Sequence, residues 1–139
     1  MTPEQIEMVE NTWKQVLPIS EQAAELFYNR LFDLDPELKP LFKGDMKSQG
    51  RKLMTMISTA VNNIRHLEKI IPALQDLGKR HVDYGVKDEH YATVASALLW
   101  TLELGLGEAF THEVKVAWTE TYTALASVML KAAAEVESV

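Results

Sequence analysis

The chain has 139 residues, of which 47% are hydrophobic and 24% charged, and it has no cysteine. That length predicts one compact domain over 1–139, large enough for a core and a buried pocket. The net charge of −6 disfavours nucleic acid or an anionic membrane as a partner, and the missing thiols exclude disulfides, Cys-zinc sites, iron–sulfur clusters, thiol nucleophiles and thioether attachment of a cofactor.

Thr2 opens a capping-box pattern with Gln5, and Pro3 takes the first helical position. Ile6, Val9, Trp13 and Val16 then form one apolar stripe. Pro18 closes that helix, and Ser20 is placed to cap a second, which turns Ala24, Phe27, Leu31 and Phe32 inward. Asp35-Pro36-Glu37 reads as cap, first-turn proline and favourable negative charge for a short third helix reaching Leu41 and Phe42. After a loop over 43–48, Ser48 is expected to cap a long helix from Gln49 to Ile64, with Leu53, Met54, Ile57, Val61 and Ile64 inward. A shorter helix runs from Ile70 to about His81, tolerates Pro72 in its first turn, and stops at Tyr84-Gly85. Asp88 is expected to cap a sixth helix bearing Tyr91, Val94, Ala95, Leu98, Leu99 and Leu102. Gly105 and Gly107 break that helix, and Thr111 caps the last one, which buries Val114, Trp118, Tyr122, Leu125, Val128 and Met129. Residues 135–139 are expected to fray.

No run alternates polar and apolar residues over strand length, so the expected class is all-α. Helices of unequal length and a proline joint argue against an up-down four-helix bundle and for an irregular helical fold wrapped around something. No stretch of 18 apolar residues is present to span a membrane. The first residues, Met1 to Glu7, lack the apolar core of a signal peptide, which makes the cytoplasm the expected location.

The histidines are His66, His81, His90 and His112. His66 sits among charges, His112 lies in the first turn of the last helix, and His90 precedes Tyr91 and is expected to face outward. His81 lies four residues after Leu77 and seven after Leu74, so it continues the inward stripe of its helix. An inward histidine is either a hydrogen-bonded core residue or a metal ligand. No H-E-x-x-H or E-x-x-H pairing, phosphate loop or G-x-S-x-G elbow is present. A single protein ligand suits a metal that brings its other ligands with it, as iron does in haem.

Several segments, taken in order, resemble the single-domain bacterial globins and the haem domain of flavohaemoglobins over essentially the whole chain. Leu26-Phe27-Tyr28-Asn29-Arg30-Leu31-Phe32 is similar to the second helix of that family. Asp35 to Phe42 resembles its short third helix, and Gln49-Gly50-Arg51-Lys52-Leu53-Met54 the start of its distal helix. Ile71-Pro72-Ala73-Leu74 with Leu77-Gly78-Lys79-Arg80-His81 and Tyr84-Gly85-Val86 resembles the proximal helix and its turn, and Ala117-Trp118-Thr119-Glu120-Thr121-Tyr122 the last helix.

The resemblance implies an all-α globin fold with a haem pocket between distal and proximal helices. Non-covalent haem b would be held by His81 as the axial metal ligand, with Phe42 against the ring. Leu53, Ile57, Val86 and Val94 would line the ring edge, and Arg80 or Lys79 would stand near a propionate. It also implies that Tyr28 and Gln49 donate hydrogen bonds to a diatomic ligand (dioxygen, nitric oxide or carbon monoxide) under the apolar lid of Leu53. Tyr91 and Glu135 match a tyrosine and glutamate that hydrogen-bond behind the axial histidine in flavohaemoglobins, where they push electron density onto iron. No reductase domain accompanies these motifs in 139 residues. The implied function is reversible dioxygen binding for storage, transport or scavenging. The alternatives are nitric oxide dioxygenation with a separate reductase, and weak peroxidase activity.

Overall fold

The computed structural model describes residues 1–137, and among them every regular element is helical. Helix α1, Pro3–Val16, starts as its sequence requires. The Thr2 hydroxyl accepts the Gln5 N–H at 3.1 Å, and the Gln5 side chain accepts the Thr2 N–H at 2.9 Å. A 3-10 turn at Leu17–Ile19 carries Pro18 and leads into α2, Ser20–Leu34. Ser20 is the first residue of α2 and not its cap; the chain enters directly from the turn, so no side chain caps that end.

Asp35 does cap the segment after it, accepting the Glu37 N–H at 3.2 Å, but Pro36–Leu41 winds as 3-10 with Pro40 inside. Helix α3, Met46–Asn62, begins three residues before Gln49 because Asp45, not Ser48, caps it. The two Asp45 oxygens accept the Lys47 and Ser48 N–H groups at 3.2 and 3.3 Å. A 3-10 stretch at Ile64–Lys69, bent at His66, joins α3 to α4, Ile71–Asp83. Gly85 ends α4 at φ +87°, with its N–H on Val82 O and the Val86 N–H on His81 O at 2.9 Å.

Helix α5, Asp88–Leu106, runs through Gly105 and stops at Gly107, and α6 covers His112–Glu137. The expected cap of α6 is formed, since the Thr111 hydroxyl accepts the Val114 N–H at 3.2 Å. The cap of α5 is different. Asp88 is already helical, and the ring of His90 accepts the Lys87 N–H at 3.0 Å. That bond turns His90 inward, with its side chain only 14% exposed and 3.9 Å from Asp35, whereas the sequence suggests an outward ring. Of the expected fraying segment, 135–137 continue α6, and residues 138 and 139 lie outside the described residues.

The core is one cluster with Val9, Trp13, Leu31, Ala97, Leu102, Ala117 and Trp118 at its centre. Helix α1 is tied to its neighbours through two indoles whose rings lie 5.9 Å apart. Trp13 donates to Ser58 on α3 and Trp118 donates to Thr12 on α1, both at 2.9 Å. The Trp118 bond is buried, so removing its acceptor strands an indole N–H without water. Thr12→Val, similar in shape and without the hydroxyl, should lower unfolding stability by about 1–3 kcal/mol. Urea denaturation checks this, and a midpoint equal to wild type would show that the bond contributes nothing net.

Candidate functional site

Helices α3 and α4 follow one another in the chain but lean on different supports. Helix α3 packs on α2 and α1, while α4 packs on α6. One set of candidate residues therefore lies on a wall of α2 and α3, and another on a wall of α4 and the start of α5.

On the first wall, Tyr28 of α2 is buried in an aromatic group. Its ring lies 5.3 Å from Phe42 and 6.1 Å from Phe32, and these two are 5.5 Å apart. The Tyr28 hydroxyl donates to the main-chain oxygen of Gln49 at 3.3 Å, which brings the first turns of α3 beside it. Burial pushes the Tyr28 phenol up to about 12, so it stays a neutral O–H donor. Gln49, Leu53 and Ile57 recur at four-residue spacing along α3 and are all half-buried. Gly50 permits this arrangement, because a Cβ there would come within 2.9 Å of the Ala24 Cβ.

On the second wall His81 is half-buried, and its Nδ1 lies 2.7 Å from the carbonyl oxygen of Leu77. A carbonyl only accepts, so Nδ1 carries the proton and Nε2 keeps its lone pair. Burial holds the His81 pKa below the ordinary imidazole value. The Leu77 carbonyl opposes that shift, and the Arg80 charge adds to it. The ring is flanked by Tyr84 at 6.0 Å and Tyr91 at 6.3 Å. Val86 and Val94 are half-buried nearby in sequence, at the end of the α4–α5 turn and on α5.

Not every expected site residue joins this arrangement. Arg80 is 53% exposed and paired with Asp76 at 3.2 Å, one turn back on its own helix. The Tyr91 hydroxyl is buried without a hydrogen-bond partner, so no hydrogen bond joins it to His81 or to Glu135, which is exposed on α6. Other side chains take part unexpectedly. Phe32 stacks on Tyr28 from one turn along α2, a spacing visible in the sequence. Tyr122 donates to the Tyr91 main-chain oxygen at 2.7 Å and ties α6 to the first turn of α5. That bond has no local sequence signal.

Among the described residues no three His, Cys, Asp or Glu side chains cluster to hold a bare metal ion. One neutral imidazole with a free Nε2 does suit a metal already ringed by other ligands, and half-buried apolar side chains suit a flat apolar ring. The donor set thus fits haem.

Known proteins agree with this architecture. The Globin family profile matches residues 25–129. A flavohemoprotein of Bacillus subtilis is 32% identical over 124 residues, 84% of this chain, which spans only 31% of that protein. A neuroglobin of Tetraodon nigroviridis is 28% identical over 137 residues, covering 88% of this chain and 86% of its own. The structure of a bacterial globin from Campylobacter jejuni superposes with a TM-score of 0.86 at 26% identity, covering 99% of this chain and all of the other. An all-helical architecture, two walls on separate supports and a profile match over most of the length lead to one conclusion: the chain belongs to the globin family.

Proposed function

We propose that this globin binds dioxygen and other small diatomic gases reversibly at a haem b held by His81, for storage, transport or scavenging. The observation that carries the reading is the hydrogen bond from His81 Nδ1 to the Leu77 carbonyl. It sets the tautomer that offers Nε2 to iron, and it does so with a neutral acceptor. A carboxylate in that place would draw the imidazole toward imidazolate and favour oxygen activation; a carbonyl leaves the ring an ordinary neutral ligand, as suits a carrier.

A bound haem would supply a ferrous iron able to coordinate a diatomic gas. The chain's own residues supply the rest. Phe42, Leu53, Ile57, Val86 and Val94 exclude water from the ring. Tyr28 holds its phenolic proton over the whole physiological range, since its pKa is raised to about 12. Its donor and the Gln49 amide would meet a ligand that acquires partial negative charge, and would slow its escape. To do so Tyr28 turns from the Gln49 carbonyl, a neutral partner at 3.3 Å, toward the stronger acceptor. Arg80 would have to exchange its exposed Asp76 partner, at 3.2 Å, for a haem propionate.

A second reading, nitric oxide dioxygenation with electrons from a separate reductase, is favoured by Tyr91, whose ring lies 6.3 Å from His81 with an unpartnered hydroxyl. That hydroxyl is available to a push network including Glu135. The flavohemoprotein relative is about three times as long as the matched segment. The readings separate by kinetics. Mixing the oxy form with nitric oxide and following re-reduction by a flavin reductase should give a single turnover for a carrier, and sustained consumption for a dioxygenase.

The purified holoprotein should show a Soret band, and His81→Gly should lose haem rapidly; a variant retaining the wild-type ferrous-carbonyl spectrum would assign the iron to another residue. Tyr28→Phe and Gln49→Leu should each speed dioxygen release, by roughly five- to a hundredfold for a bond worth about 1–3 kcal/mol. Stopped-flow measurement of release decides it, and wild-type rates in both would remove these side chains from the ligand.

A further inference from the structure

Gly78 lies on α4 one turn before His81, on the stripe that faces α6. A Cβ built there would run into the Met129 carbonyl oxygen and sit 2.8 Å from its Cα and 2.9 Å from its carbonyl carbon, closer than carbon atoms pack. All three atoms are main chain in the middle of α6, so no rotamer change relieves the clash. The two helices meet here backbone to backbone, and any side chain would force α4 off α6 by several tenths of an ångström.

His81 cannot absorb such a displacement. Its ring is fastened to its own helix through the Leu77 carbonyl at 2.7 Å, and the residue's main-chain oxygen holds the Val86 N–H at 2.9 Å. The imidazole therefore travels with α4. We infer that Gly78 is a positioning residue: its close contact with the α6 backbone sets how far His81 Nε2 reaches into the cleft, and with it the strength of the axial bond. The inference rests on His81 as the haem ligand.

Gly50 supplies an internal comparison. Its absent Cβ also marks a tight crossing, 2.9 Å from the Ala24 Cβ, but on the wall of α2 and α3. Both variants lose a close helix contact, and only one moves α4.

The test uses the holoprotein. Gly78→Ala should shift the ferrous iron–histidine stretching frequency in the resonance Raman spectrum and speed haem transfer to an excess of apomyoglobin by about tenfold or more. Gly50→Ala should leave that frequency at its wild-type value, and so should Met129→Ala, since the contact is with main chain. An unchanged frequency in Gly78→Ala, or equal shifts in Gly78→Ala and Gly50→Ala, would overturn the inference. If Gly78→Ala does not fold, His81→Gly refilled with free imidazole decides instead. An untethered ligand should give an iron–nitrogen frequency different from wild type, and an equal one would show that the helix imposes no position. Failure of the ligand assignment itself is read separately, from a His81→Gly protein that needs no imidazole.

Discussion

Two consecutive helices that do not rest on each other are the constraint on which the remaining structure depends. Helix α3 is drawn onto α2 where Gly50 meets Ala24, and α4 onto α6 where Gly78 meets the Met129 backbone. Each contact removes a side chain so that two helices can approach closely, and each pulls its helix away from the other. The 3-10 stretch at Ile64–Lys69, bent at His66, is the connection that lets the chain make this change of support. Hydrophobic collapse alone would bring α3 and α4 together, because both carry apolar stripes. The glycines give each helix a better partner elsewhere, and Gln49, Leu53, Ile57 and His81 are left half-buried.

Within that frame the ionisable groups are held uncharged. Burial raises the Tyr28, Tyr91 and Tyr122 phenols and lowers His81, so each is displaced toward its neutral form. For His81 the sign matters. Its pKa lies below the value it would have unfolded, so the unfolded chain binds the proton more readily. Stability is therefore lost as pH falls through the ordinary imidazole range toward the depressed folded value, and is full above it. The same displacement keeps the Nε2 lone pair free at neutral pH.

Much of this was legible from residue spacing, and the exceptions have physical causes. Helix existence followed from apolar period, and Thr2, Asp35 and Thr111 cap where their sequence places them. The starts of α3 and α5 shifted because capping is a competition among neighbours. Asp45 reaches two N–H groups where Ser48 would reach one, and His90 takes the Lys87 N–H ahead of Asp88. The inward ring of His90 was hidden for the same reason, since periodicity describes apolar faces and not a polar ring recruited to a helix end. Tyr28, Gln49 and His81 were singled out through resemblance, which carried no information about their bonding. Main-chain oxygens serve as the partners, and a sequence carries no mark of which carbonyl a side chain will choose.

That choice of partner is the common feature of the site. Tyr28 bonds to the Gln49 oxygen, His81 to the Leu77 oxygen and Tyr122 to the Tyr91 oxygen. A main-chain carbonyl does not titrate, and its position is set by the helix and not by a rotamer. Three polar side chains are thereby oriented by neutral acceptors. Carboxylate partners would bind each proton more strongly but would bring a buried negative charge beside these side chains, at a desolvation cost of several kcal/mol. They would also make the orientation depend on pH. Neutral acceptors give fixed geometry and modest ligand basicity together. The Tyr91 hydroxyl, by contrast, is left without an acceptor, and its ring lies beside His81. A charged partner for that one group would give His81 the stronger electron donation that its neutral Leu77 acceptor does not.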